Sequence, residues 1–137
     1  MPGFKSEKNR PATAAECTGA LNAVGDAVYV IGGKWKLRII IALSEGNRRF
    51  NDLQRRVQKI SARVLSNELK DLEENGFIIR KVHSDATPVI VEYELTDYAD
   101  TLSDVLTSLR AWGTMHRETI KRKAQAQLES KTVQKAA

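Results

Sequence analysis

The stretch FNDLQRRVQKISARVLSNELKDLEENG (residues 50–76) reads as two short helices joined by a tight turn. In its second half Leu65, Leu69 and Leu72 recur at i, i+4 and i+7, so they share one helical face, while Arg63, Asn67 and Lys70 project from the other. One face packs and the other is offered outward. Ser61 carries the hydroxyl of an N-cap, and Ile60 before it stands where a hydrophobic staple meets Leu65. Gly76 suits the left-handed position beyond a helix end, with Phe77 placed to touch Leu72 in a Schellman closure. These signals predict a helix over residues 62–75. Ahead of it, Phe50, Leu53 and Val57 form one apolar stripe on a helix over 50–57. The connection Gln58-Lys59-Ile60 has helix-turn-helix length.

Working outward, the pattern after Gly76 changes from helical to strand-like. Residues 78–83 are rich in β-branched side chains, and Val89, Val91, Tyr93 and Leu95 alternate with Ile90, Glu92 and Glu94. Between them Ser84-Asp85-Ala86-Thr87-Pro88 are turn-formers, so the two runs predict a hairpin with an exposed tip. A hairpin directly after such a helix is a wing, with Lys81, His83 and Thr87 near its tip. Upstream, Leu21, Val24, Val28 and Ile31 step by three and four along a helix that Gly32-Gly33 ends. A second helix from about Lys34 carries Trp35, Ile39, Ala42 and Leu43 toward a core and stops at Gly46, with Lys34, Lys36 and Arg38 on a solvated face. Residues 47–49 have room for a brief strand.

Thr96 or Asp97 can cap a last helix whose Leu102, Val105, Leu106, Leu109, Trp112 and Ile120 make a long apolar stripe. That stripe exceeds what one small winged unit can cover, so the first and last helices are predicted to dimerise. Leu21, Val24, Val28, Leu102, Val105, Leu106, Leu109 and Trp112 are the expected contacts. The organisation expected is a flexible arm over 1–16, with order beginning near Cys17 or Thr18, a winged domain over 17–120, and a polar, frayed tail over 121–137. The fold class is mainly α with a small β-hairpin wing.

The chain of 137 residues, 42% hydrophobic, suits one domain. No apolar run reaches the roughly 18 residues of a membrane span. The first residues, MPGFKSEKNRPATAAE, lack the apolar stretch of a secretory signal, and the single Cys17 makes no internal disulfide. A reducing cytoplasm is the expected compartment. The net charge of +5 is concentrated: residues 48–63 hold Arg48, Arg49, Arg55, Arg56, Lys59 and Arg63 against Asp52 alone, and the rest of the chain sums to zero. Basic residues gathered on a helix-turn-helix are the electrostatic footprint of a nucleic-acid binder.

Four blocks carry a family resemblance: GGKWKLRIIIAL (32–43), RRFNDLQR (48–55), residues 60–76, and VEYELTDYA (91–99). In this order they resemble the HxlR family of winged helix-turn-helix transcriptional regulators, relatives of the MarR type. The resemblance covers roughly residues 17–115 and implies a dimeric, cytoplasmic, prokaryotic DNA-binding regulator. Two departures stand out. The family's wing often carries consecutive prolines before its second strand, where this chain has Ala86-Thr87-Pro88. Members that sense oxidants or electrophiles often use a cysteine followed by proline near the Trp block, whereas Cys17 precedes Thr18 and lies further upstream.

The resulting expectation is a homodimer reading a pseudo-palindromic operator in double-stranded DNA. Arg63, Ser66, Asn67 and Lys70 would read base edges, since Arg pairs bidentately with guanine and Asn with adenine. Arg48, Arg49, Arg55, Arg56, Lys59 and Ser61 would hold the phosphate backbone. Cys17 is a candidate redox sensor, because a helix beginning at Thr18 would set its positive end beside the sulfur and favour thiolate. A small-molecule or oxidant effector is compatible with this arrangement. Neither cofactor nor metal is expected, and the sequence argues against an enzyme, since His83 and His116 fall in different elements with no Cys/His spacing of a metal site. The alternative from another class is a winged helix used only for protein contacts, which would carry a neutral or acidic outward face.

Overall fold

The computed structural model describes residues 13–136, and the chain divides into two compact units at Tyr98/Ala99. The first unit contains α1 (Ala14–Ile31), α2 (Lys36–Ser44), α3 (Phe50–Val57), α4 (Ala62–Glu74) and the strands β1 (Ile78–His83) and β2 (Ile90–Leu95). The second contains α5 (Ser103–Ala136), preceded by a 3₁₀ segment over Asp97–Leu102 that straddles the boundary.

The core of the first unit is built by the predicted stripes. Ile39, Ile40, Ala42 and Leu43 of α2, Leu53 of α3, Ile60 of the turn, and Leu65, Leu69 and Leu72 of α4 are buried with Phe77 and Ile78. Each helix gives one face, so the layers close only when α3 and α4 hold their angle across the short turn. β1 and β2 pair antiparallel with Ile78 opposite Leu95 and His83 opposite Ile90. Phe77 stacks on Tyr98 at 5.2 Å between ring centres.

Several expectations on boundaries are corrected. α1 begins at Ala14, three residues before Cys17, because Thr13 and Glu16 form a capping box: each backbone N–H donates to the other's side chain, at 3.0 and 3.1 Å. The rest of the expected arm, residues 1–12, lies outside the described residues. The strand expected over 47–49 is reduced to one hydrogen bond, Tyr93 N–H to the Arg48 carbonyl at 2.8 Å. Thr96 does not cap a helix there; its hydroxyl donates to the Gly76 carbonyl at 2.6 Å and its N–H to Phe77.

The expected frayed tail is helical: α5 runs unbroken through Ala136. From residue 121 onward it contains neither Gly nor Pro and is rich in Lys, Ala and Gln, all good helix formers. Gln125 donates to Glu129 at 3.1 Å along it. Lys36 is also corrected. Its side chain is only 14% exposed, and its ammonium lies 2.7 Å from Glu68 and 3.5 Å from Asp71 of α4. The Glu68 hydrogen bond is the main cause of its raised pKa. Trp35 is half-buried, with Lys34 over its ring at 4.7 Å and Arg38 at 5.7 Å.

Candidate nucleic-acid interface

The interface begins with how α4 is held. Ser61 accepts from the Val64 N–H at 3.1 Å, which satisfies one of the amides left unpaired at the helix start. At the other end Phe77 N–H donates to the Leu72 carbonyl and Gly76 N–H to that of Glu73, both at 3.0 Å, with Gly76 at φ +83. This is the Schellman closure, and it requires a residue free of Cβ strain at position 76. With both ends fixed and Leu65, Leu69 and Leu72 buried, Arg63, Ser66, Asn67 and Lys70 are all exposed on the remaining surface. Val64 lies half-covered between the two faces.

The turn before α4 holds the least expected geometry. Gln58 has φ 63 and ψ 143, and Lys59 has φ 60, positive values at two consecutive residues that are not glycine. Gln58 N–H donates to the Gln54 carbonyl at 3.3 Å, and the Gln54 side-chain amide donates to the Ile60 carbonyl at 3.2 Å. These bonds force the chain through a tight reversal that leaves Lys59 exposed while Ile60 is buried. Nothing in the residue types 58 and 59 signals positive φ. The only available hint was the brevity of the connection.

The basic cluster sorts into committed and free charges. Arg56 makes a bidentate pair with Glu45 at 2.7 and 2.9 Å, which raises its pKa and ties α3 to the end of α2. Arg55 pairs with Asp52, and Arg48 with Glu94 at 3.4 Å. Arg49, Lys59, Arg63 and Lys70 have no carboxylate within 4.0 Å among the described residues. On the wing, Lys81 pairs with Glu94 at 2.8 Å and His83 with Glu92 at 2.8 Å, so these side chains are answered within the hairpin itself. The Lys81 hydrogen bond is the main cause holding the Glu94 carboxyl below its ordinary range. Thr87, beside the tip, is exposed.

The expected dimerisation residues fall into two groups. Leu21 is 74% exposed and Val24 and Val28 are exposed on α1, which has no buried residue at all. On α5 Val105, Leu109 and Trp112 are exposed and Leu106 is half-covered. Leu102 is corrected: at 8% exposure it lies in the 3₁₀ segment and belongs to the buried set. Cys17 is exposed and free, but it lies inside the first turn of α1 and its N–H donates to the Thr13 carbonyl at 2.9 Å. The sulfur therefore does not precede the helix as the thiolate argument required. Among the described residues no group of His, Cys, Asp or Glu is arranged to hold a metal.

A short helix pair, a tight turn, an outward helical face and a following two-stranded hairpin define a winged helix-turn-helix protein. The chain belongs to the HxlR-like helix-turn-helix family, which it matches over residues 30–121. An HTH-type transcriptional regulator of Methanothermobacter thermautotrophicus is 40% identical over 96 residues, 70% of this chain and 72% of that protein. YtcD of Bacillus subtilis, another HTH-type transcriptional regulator, is 41% identical over 94 residues, 69% of this chain and 74% of that one. Its crystal structure superposes with a TM-score of 0.65 over 69% of this chain and 96% of its own. The redox regulator HypR in its reduced form gives a TM-score of 0.67 at 33% identity, over 73% of this chain and 98% of that one.

Proposed function

We propose that this regulator binds DNA sequence-specifically, as a homodimer, with α4 in the major groove and the hairpin toward the neighbouring backbone. The observation that carries this reading is the α4 face itself: Arg63, Ser66, Asn67 and Lys70 are exposed opposite a fully buried leucine stripe, with no carboxylate within 4.0 Å of Arg63 or Lys70 among the described residues. A helix used only for protein contacts has no need of such a face. Arg63 and Asn67, in the first half of α4, supply the base contacts, and Arg49 and Lys59 supply uncommitted charge for phosphates. Among the described residues no helix is long and apolar enough to cross a membrane, and we place the protein with its DNA in the cytoplasm.

The test is retention of mixed-sequence duplex across a salt series. Affinity should fall log-linearly, by about 0.9 in slope for each phosphate neutralised. Lys59→Ala should lower that slope and weaken all duplexes alike. No retention at low salt would instead favour a winged helix devoted to protein contacts.

The homodimer follows from the apolar surface of α1 and α5, whose exposed Leu21, Val28, Leu109 and Trp112 are more than a small monomer leaves wet. Two recognition helices then meet half-sites about 34–36 Å apart, or a multiple of that. A monomeric mass at micromolar concentration by light scattering would remove the dimer from this reading.

A second reading, regulation by oxidation, draws support from the likeness to a redox regulator and from the exposure of Cys17. Cys17 lies outside the residues matched to the family. With one thiol per chain, an oxidant such as diamide takes two electrons and two protons to join two chains through a disulfide, or to join Cys17 to a small thiol. Operator binding before and after diamide, in the parent and in Cys17→Ser, decides it. An unchanged parent, or an equal response from the Ser variant, excludes Cys17 as the sensor.

A further inference from the structure

We propose that Lys70 and Arg80 together hold one phosphate of the DNA backbone in the groove between α4 and the hairpin, which makes Lys70 an anchor instead of a base reader. The proposal rests on the DNA-binding reading above and assigns a site within it. The groove has a volume of about 250 Å³ and is lined by Ser66, Leu69, Lys70 and Glu73 of α4 and by Arg80 and Tyr93 of the hairpin. Leu69 is buried at its base, and the lining holds two cationic side chains and two hydroxyls.

The register of the hairpin explains why Arg80 is available. Arg80 and Tyr93 are direct cross-strand partners, so they share one face of the sheet. Lys81, His83, Glu92 and Glu94 occupy the other face, where Lys81 lies 2.8 Å from Glu94 and His83 lies 2.8 Å from Glu92. A one-residue alternation thus separates a face whose polar side chains meet one another from one that presents the Arg80 guanidinium toward α4. Arg80 and Lys70 both lack a carboxylate within 4.0 Å among the described residues, although Glu73 lines the same groove.

Position along α4 argues for phosphate over base. Lys70 lies seven residues beyond Arg63, about 10 Å further along the axis. Recognition helices meet base edges with their first turns, and the later turns leave the groove floor. A flexible ammonium beside a guanidinium fork suits a phosphate oxygen pair. The Ser66 hydroxyl and the Tyr93 phenol add neutral donors at the walls. Glu73 opposes an anion there, so it limits the strength of the seat.

The experiment compares Lys70→Ala, Arg80→Ala, the double variant and Glu73→Gln with the parent. The readouts are the salt slope on mixed-sequence duplex and the base preference after selection from a randomised duplex pool. Because one phosphate is shared, each single variant should lower the slope per protomer by less than one unit. The double should lower it by about 0.9 in all. Base preference should stay unchanged, Arg80→Lys should retain most of the binding, and Glu73→Gln should tighten it. Thermal melts confirm that these exposed substitutions leave the fold intact.

A double-variant loss near 1.8 per protomer would mean two separate phosphates and would overturn the shared seat. So would a relaxed base preference in Lys70→Ala. If Lys59→Ala lowers the slope while neither Lys70→Ala nor Arg80→Ala does, DNA binding stands and this site falls. If the parent retains no duplex, the DNA-binding reading fails first.

Discussion

Replacing Gln58 with glycine should make the protein more stable. The residue sits at φ 63 and ψ 143, close to a region that side chains with a Cβ avoid, and such a conformation costs about 1–3 kcal/mol. Glycine relieves that cost but adds freedom to the unfolded chain worth about 0.4–1 kcal/mol. The difference leaves a net gain between about 0 and 2.6 kcal/mol, centred on roughly 1.3 kcal/mol, or about 4–6 °C in Tm at that centre for a chain of this size. Urea denaturation at fixed protomer concentration measures it, since a dimer's apparent stability depends on concentration. Gln58 is exposed and uncharged, so the salt slope for DNA should not move. The β-branched Gln58→Val should lose stability in the same assay. A glycine variant no more stable than the parent would show that any strain at Gln58 is no larger than the entropy glycine adds, about 1 kcal/mol, and a less stable one that the turn stores none.

Thr13→Ala should remove the capping box of α1, at about 1 kcal/mol, and speed amide exchange at Glu16 about fivefold while the core melts unchanged, because α1 has no fully buried residue. A global loss of stability instead would mean that α1 is part of the core. Lys36→Met should flatten the alkaline limb of stability. The raised pKa of Lys36, set mainly by its hydrogen bond with Glu68, gives stability that is full below pH 10.5 and lost as pH rises through the folded value. Melts of parent and variant from pH 8 upward check this, and parallel curves would contradict it.

The helix-turn-helix was legible because its signals are local and redundant. Ser61 and Gly76 bracket α4, and the leucine spacing assigns its faces without any knowledge of the neighbours. Lys36 was misread because a lone cation on a helix carries no sign of its partners, which lie more than thirty residues later on α4. The sorting of the basic cluster failed to show for the same reason: Arg56 and Glu45, or Arg48 and Glu94, become neighbours only after folding. Arg80 was missed entirely, since its importance depends on strand register against Tyr93 and on the face turned to α4. Thr13 and Glu16 form a capping box visible in the sequence, but the prolines nearby and the absence of apolar period before Leu21 masked it.

Whether α4 reads DNA bases is decided by selecting bound duplexes from a randomised pool with the parent and with Arg63→Ala and Asn67→Ala. The parent should enrich two related half-sites about 34–36 Å apart or a multiple of that, one for each α4 of a dimer. Each variant should relax preference at one defined position of each half-site, at a cost of about 1–3 kcal/mol for that base pair, and keep the rest of the motif. Enrichment of no motif by the parent, or motifs from the two variants identical to the parent's, would show that α4 does not read bases through Arg63 and Asn67.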